Sequence, residues 1–390
     1  MKRYSILIAA VVLQMCLGGT YAWTDFASSI SKNYPVDEST VRLPFTVFYS
    51  AFPLTVVFLT VFFKRLGTRI GAMLGGGLFG LGWIIASFGA QNFWFTIIGA
   101  GVVGGVGVGI AYVIPISVCI ALFPKKRGLV TGLIVGGFAG GAAIVSQVTR
   151  ALTTSGTSAF TVLMYCGIAF LIFSLIAGSF MSEPEGSSSD ESELDFGFVQ
   201  LLKNPIFLVL FVAMIIGLIA GFFINVNLKQ FADDNALAMT LTGAAIFSIG
   251  NAFGRIIWGA ISDHSSAGRV LRWNLGFQAV MMICAVFMVK SLLTMSIFAA
   301  LTGFNYGGVL VLYASAIGKI WGNAAVRPIY SKIFISNIIA SWLMVGVSYL
   351  YDASGMVLPS LVVAVVLIVT IFWSLKVLPN SLEQKSLAEF

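Results

Sequence analysis

Charge is what this sequence has least of. Only 9% of its 390 residues are Asp, Glu, Lys or Arg, while 58% are hydrophobic. A soluble domain carries roughly 25% charged residues, and a soluble fold of this length could not clothe its surface with so few. A surface that faces lipid needs none, so the shortage places the chain in a bilayer. Histidine is scarcer still. The single His264 falls in a short polar turn, which excludes a buried imidazole relay. The four cysteines, Cys16, Cys119, Cys166 and Cys284, sit inside apolar runs without metal-ligand spacing and read as buried apolar thiols. No nucleophile–histidine pair stands out, and the Gly-rich run at 101–109 lacks the strand context that a phosphate loop requires. No enzyme activity, metal or cofactor is therefore expected. The formal charge of +7 does not indicate nucleic acid, because the basic residues stand at the ends of apolar runs and not on one soluble face.

What is present is apolar length. A spanning helix needs about 20 apolar residues, and the sequence predicts twelve: 4–26, 43–63, 70–90, 94–122, 129–150, 160–181, 205–228, 239–261, 270–290, 292–318, 328–350 and 355–377. Met1-Lys2-Arg3 before an apolar run imitates a signal peptide. That run is long and ends in no small-residue cleavage site, so it reads as a retained first span. One Ser-rich, acidic stretch, SEPEGSSSDESELDFGFVQLLK, breaks the series, with a short amphipathic piece from Phe196. It divides the chain into a six-helix bundle at 1–181, a cytosolic linker at 182–203 and a second six-helix bundle at 204–390. Lys and Arg gather on the side of the termini, as in Lys2-Arg3, Lys64-Arg65 with Arg69, and Lys125-Lys126-Arg127. The opposite side holds only Lys32, Arg42, Arg150, Lys229 and Lys290. This asymmetry predicts that both termini are cytosolic. The loops FKRLGTRIG (63–71) and GAISDHSSAGRV (259–270) each carry a short basic Gly-Arg turn at the same place in each half, a weak internal repeat of the kind found in transporters that rock about a central site.

An ionisable group inside a span is the strongest functional signal in such a chain, since a charged side chain at the bilayer centre costs about 2.5–3.5 kcal/mol on insertion scales. Arg255, within GNAFGRIIWGAISD (250–263), is the clearest case. It reads either as a guanidinium snorkelling to the headgroups or as a planar fork for a carboxylate. Asn251, one turn earlier, is placed to hold it without neutralising it. Lys332, near the start of the eleventh span, reads as an end anchor, with a binding role as the alternative. Asp25 reads as an exposed helix-end acid or as a proton acceptor. Tyr21, Tyr112, Asn225, Asn227, Asn305, Tyr306 and Asn337 are polar groups on otherwise apolar helices, fit to line a site or to bridge helices. Gly101, Gly105 and Gly109, and then Gly132, Gly136 and Gly140, recur at four-residue spacing and predict close helix packing.

Three stretches carry a resemblance: LGGTYAWTDF (17–26), GIAYVIPISVCIALFPKKRG (109–128) and the segment around Arg255. Over nearly its whole length the chain resembles the oxalate/formate antiporter family of the major facilitator superfamily, which is related to the monocarboxylate transporters. The resemblance implies an all-α membrane protein with the major facilitator fold, alternating access and a carboxylate bound between two six-helix halves. A monomer suffices for that architecture, and the cell (plasma or inner) membrane is its expected place. The oxalate carrier uses two cations, on helices 8 and 11. Arg255 matches the first, while Ser336 or Asn337 stands where the second would be. A dianion in a low-dielectric site needs two positive partners, whereas one arginine suits a monoanion; Lys332, about one turn away, keeps the oxalate alternative open. The animal monocarboxylate carriers have an aspartate, tied to proton coupling, where Asn251 stands here. Lys64 likewise occupies the place of a usual superfamily aspartate. The expectation is a secondary transporter of a lactate- or pyruvate-type monocarboxylate, coupled to protons. Its substrate would be held by Arg255, Tyr21, Tyr112, Asn227, Asn251, Tyr306 and Asn337, with Asp25 as proton-coupling candidate. Oxalate/formate-type antiport and a non-transporting membrane sensor are the alternatives.

Overall fold

The computed structural model describes residues 2–59, 67–123, 127–182, 197–238 and 242–378. Among them are twelve helices long and apolar enough to cross a membrane. In chain order these are α1 (Arg3–Asn33), α2 (Glu38–Phe58), α3 (Gly67–Ala90), α4 (Trp94–Cys119), α5 (Gly132–Thr154), α6 (Ala159–Ser179), α7 (Pro205–Asp234), α8 (Gly243–Asp263), α9 (Ala267–Met288), α10 (Leu292–Trp321), α11 (Ile329–Ser354) and α12 (Val357–Val377). Each matches an expected span, and the largest differences are extra turns at the ends of α1 and α7. Lys64, Lys125, Lys126 and most of the acidic stretch lie outside the described residues. The amphipathic piece expected from Phe196 is a helix at Phe198–Lys203. Asn204 then starts α7, its Oδ1 accepting from the amides of Ile206 and Phe207. Asp37 does the same for α2. Its carboxylate accepts from the Ser39 hydroxyl and from the amide and hydroxyl of Thr40, which together hold its pKa near 2.

The first six helices pack on one another, with α1 against α5 and α6, α2 against α4, and α3 against α4 and α6. The last six do likewise, with α8 against α10, α9 against α10 and α12, and α7 against α10, α11 and α12. Among the described residues the two sets meet chiefly through α1 with α7, α2 with α11, and α5 with α8, with α1 also touching α8. One end of the bundle, the terminus end, carries the start of α1 and the end of α12. The other, called the loop end below, carries the turns between α1 and α2, α7 and α8, and α11 and α12.

In a bilayer the hydrophobic effect does not press helices together, so close backbone approach does the work. The tightest seam joins α8 and α10. A Cβ at Gly254 would stand 1.9 Å from the Phe304 carbonyl oxygen, and one at Gly303 would stand 2.0 Å from that of Phe247. This seam flanks Asn251 and Arg255 on one helix and Tyr306 on the other. The expected stripe on α4 is real, since Gly105 lies against Ala51 and Phe48 of α2. The expected stripe on α5 is displaced. Gly136 and Gly140 meet nothing within 4 Å, whereas a Cβ at Gly141 would stand 2.0 Å from the Met15 carbonyl of α1. One residue turns a helix by about 100°, so the neighbouring pair Gly137 and Gly141 faces α1 instead.

Three helices are irregular where they cross the middle. In α1 the stretch Gly18–Ala22 is wound as a 3-10 helix. In α4 a bend falls at Tyr112, whose carbonyl accepts from the Gln14 side chain at 2.7 Å. In α11 the helix breaks at Phe334–Ile335, and the Phe334 carbonyl is closed by both the amide and the side chain of Asn337. Backbone groups freed in this way need partners inside a membrane, and the side chains of Gln14 and Asn337 supply them.

Gly254→Ala should force α8 from α10 and cost about 1–3 kcal/mol of stability. Gly136→Ala should cost almost nothing. Thermal unfolding of both purified variants in one detergent checks this, and equal Tm values would refute the seam.

Candidate functional site

The arginine of α8 turns inward. Arg255 is 3% exposed. Its Nε donates to the Asn251 side-chain oxygen at 3.1 Å, and its Nη1 donates to the Val135 carbonyl of α5 at 3.3 Å. The guanidinium lies 5.8 Å from the centre of the Phe138 ring, within cation–π range. Among the described residues Nη2 is buried without a hydrogen-bond partner. The snorkelling alternative is excluded by these contacts. Among the described residues every group that holds this cation is neutral, so its charge is uncompensated by any immediate neighbour there.

Around it stands a box of aromatic rings drawn from both sets of six helices. Tyr21 of α1 and Tyr306 of α10 share a hydrogen bond at 3.1 Å across the interface. Phe138 meets Tyr21 and Tyr112 edge-on, at 5.6 Å and 5.4 Å between ring centres. Tyr49 of α2 packs 4.3 Å from Phe222 of α7, and Phe247 of α8 packs 5.6 Å from Tyr306. Towards the terminus end the box is shut by Phe52 of α2 against Phe334 of α11, 5.4 Å apart. Gly221 of α7 leaves room for Tyr306, because a Cβ there would stand 2.0 Å from the ring.

Of the residues expected to line a site, Arg255, Asn251, Tyr21, Tyr112 and Tyr306 come together at this centre. The others go elsewhere. Asn227 donates to the Phe223 carbonyl and to Ser348 of α11, tying α7 to α11. Asn337 donates to the break in its own helix. Asn305 belongs to an amide cluster with Asn274 and Gln278 of α9. Asn225 is buried with both polar atoms unpartnered. Lys332 is half-buried in the piece of α11 before the break. Asp25 is not an exposed helix end. It is 6% exposed and accepts from Ser146 of α5, which also contacts Thr242 at the start of α8. It therefore sits where α1, α5 and α8 meet.

The loop end is closed by ion pairs between the two sets of helices. Arg42 of α2 holds Asp352 of α11 through Nη1 at 2.6 Å and Nη2 at 2.9 Å, and donates to Gln230 of α7 at 2.6 Å. Lys32 of α1 pairs with Asp233 of α7 at 2.7 Å. Among the described residues the centre is thus covered towards both ends, and Arg255 is 3% exposed.

A sequence profile of the Major Facilitator Superfamily matches residues 7–327. The chain belongs to that superfamily. An uncharacterised transporter of this type from Escherichia coli is 24% identical over 340 residues, covering 85% of this chain and 84% of its own. The oxalate:formate antiporter of Oxalobacter formigenes is 26% identical over 355 residues, covering 87% and 82%. Apicoplast pyruvate carrier 1 of Toxoplasma gondii is 36% identical over 88 residues only, 23% of this chain and 16% of its own. Among solved structures, a D-xylose-proton symporter shares the fold with a TM-score of 0.73, over 98% of this chain and 99% of that one, at 14% identity.

This major facilitator protein is a multi-pass transporter of the cell membrane, and its centre includes residues that the sequence did not single out. Tyr49 carries the same signal as Tyr21 and Tyr112, a hydroxyl on an apolar helix, and could have been found by it. Phe138, Phe222 and Phe247 carry none, being three of 33 phenylalanines.

Proposed function

We propose that the protein is a secondary active transporter of a small monocarboxylate of the lactate or pyruvate type, coupled to protons. One observation carries this reading: a guanidinium buried between the two sets of helices, held only by neutral groups, with one N–H edge unpartnered. A carboxylate completes such a cation through charge-assisted hydrogen bonds worth roughly 1.5–3 kcal/mol each. The flanking rings suit a short apolar body, and Tyr21, Tyr112 and Tyr306 can turn their hydroxyls to the anion. On α11, Ser336 and Asn337 are neutral, which favours one carboxylate over two. The names of two relatives, an oxalate:formate antiporter and a pyruvate carrier, support a carboxylate substrate.

Alternating access follows from the enclosure. With the termini in the cytosol, as the Lys and Arg placement predicts, the loop end faces outward. Breaking the Arg42–Asp352 and Lys32–Asp233 pairs opens the centre to that side, and parting Phe52 from Phe334 opens it to the other. The anion replaces the Val135 carbonyl as an acceptor for Arg255 and removes the cost of an uncompensated charge, so the filled centre closes more readily than the empty one. Asp25 is the proton acceptor in this scheme. It lies between α1, α5 and α8, where a change of its charge bears on the contact of the two sets. Oxalate-for-formate exchange is the second reading, favoured by the relative that matches 87% of the chain.

Uptake of labelled L-lactate into liposomes, with and without an inward proton gradient and with oxalate as competitor, separates the readings. Arg255→Lys, which loses the planar fork, should reduce uptake about tenfold or more, a loss of roughly 1.4 kcal/mol or greater. Unchanged uptake would sink the assignment of the centre.

Asp25→Asn should abolish the acceleration by a proton gradient while leaving lactate exchange intact. A variant that still responds fully to the gradient would remove Asp25 from the scheme without touching Arg255.

A further inference from the structure

Arg42 has the geometry of a carboxylate site that is already filled. Its side chain is 4% exposed, and it meets the Asp352 carboxylate with a planar fork, two parallel hydrogen bonds of 2.6 Å and 2.9 Å. The carboxylate comes from the opposite set of helices, as does the Gln230 side chain. From its own set, among the described residues, Arg42 has Glu38, one turn back on α2, at 3.4 Å and half exposed. When the loop end parts, Asp352 and Gln230 leave with α11 and α7, and the guanidinium is left facing the widening cleft. The neighbouring acids at this end are engaged elsewhere: Asp37 with Ser39 and Thr40, Asp233 with Lys32, Lys229 and Ser28, and Asp234 with Tyr351.

A cavity of about 360 Å³ opens beside Arg42. Its lining holds Lys32 and the hydroxyls of Thr24, Ser28 and Ser31, together with the carboxylates of Asp37, Glu38, Asp233 and Asp234, so within it the fork of Arg42 and not the general charge would select an anion. Arg42, Phe45 and Tyr49 also form one stripe of α2 at spacings of three and four residues. Seven residues of helix span about 10 Å, and Tyr49 already touches the central box through Tyr21 and Phe222.

We propose that Arg42 is a second, transient site for the substrate's carboxylate at the loop end. An incoming anion docks on Arg42 while that end is open. As the end closes, Asp352 takes the same fork, displaces the anion and sends it two turns of α2 inward to Arg255. Asp352 thus acts as an internal competitor of the substrate. The inference rests on the reading of a carboxylate substrate at the centre.

The test compares Arg42→Gln with Asp352→Asn in uptake from the loop-end side, read as KM and maximal rate for labelled L-lactate. Both variants break the ion pair, but only the first removes the anion site. Arg42→Gln should raise KM about tenfold, whereas Asp352→Asn should leave KM unchanged or lower it. Arg42→Lys, which keeps the charge and loses the fork, should raise KM to an intermediate value, and it carries the test should Arg42→Gln fail to reach the membrane. Equal shifts of KM in Arg42→Gln and Asp352→Asn would show a latch and nothing more. An unmoved KM in either Arg42 variant would likewise overturn the proposal. Wild-type lactate uptake is the control for the central reading. Where the wild type does not carry lactate, that reading fails, and oxalate uptake against internal formate serves as the tracer for the same comparison.

Discussion

A cation held in the middle of a membrane bundle by neutral groups is the constraint on which the rest of this structure depends. Placing a guanidinium at such depth is unfavourable by several kcal/mol, and proteins usually offset that cost with a carboxylate. Here the neighbours are an amide oxygen, a backbone carbonyl and the face of a phenylalanine. They satisfy part of the hydrogen-bonding capacity of Arg255 and none of its charge. On the proposed reading this gives the site a standing preference for an anion, one that exists before any substrate arrives. A buried acid next to Arg255 would have made the bundle more self-sufficient and the site less useful.

Holding that cation in place is the task of the helix packing. Gly250 and Gly254 bring α8 against α10 backbone to backbone, and the same seam fixes Asn251 and Arg255 on one side and Tyr306 on the other. The amide cluster of Asn305 with Asn274 and Gln278 locks the rotation of α10 from behind. With α10 fixed, Tyr306 can reach across the interface to Tyr21, whose own position is set by the tightened turn of α1. The irregular stretches of α1, α4 and α11 all fall where helices cross the centre. They are tolerated because Gln14 and Asn337 satisfy the backbone there. Polar side chains in this bundle thus do two kinds of work: Gln14, Asn227, Asn305 and Asn337 close helices or bind helix to helix, while the tyrosine hydroxyls and Asn251 gather with Arg255 at the centre.

That division explains what was legible in the sequence. Twelve apolar runs are a signal about length and solvent, and both survive without knowledge of contacts, so all twelve spans could be drawn, though the ends of α1 and α7 run on by further turns. Arg255 was legible because charge inside a span is so unfavourable that it asks for a reason. Asn227 and Asn337 were drawn into the expected site by the same rule, yet an amide can be satisfied by a carbonyl one turn away, and nothing in the sequence tells the two fates apart. The glycines of α5 show the limit of periodicity. Gly136 and Gly140 have the same spacing as Gly137 and Gly141, and only the direction of α1 decides which pair is buried. Phe138 was beyond reach because an aromatic ring becomes a cation's neighbour only through tertiary placement.

The two buried arginines show how charge compensation assigns roles. Arg42 and Arg255 are equally hidden, and each spans the two sets of helices. Arg42 is matched by carboxylates, Asp352 on the far side and Glu38 on its own helix, so its bonds hold the loop end shut and must be broken for that end to open. Arg255 is matched by neutral groups, so it does little to hold the bundle closed and gains from a guest that brings the missing charge. Exchanging these environments would reverse the logic: a neutralised centre would bind nothing, and an uncompensated arginine at the mouth would hold the anion where it entered. Under the proposed function, transport in one fold needs both arrangements, a cation already satisfied by the protein where the path is gated and a cation left unsatisfied where the substrate is to rest.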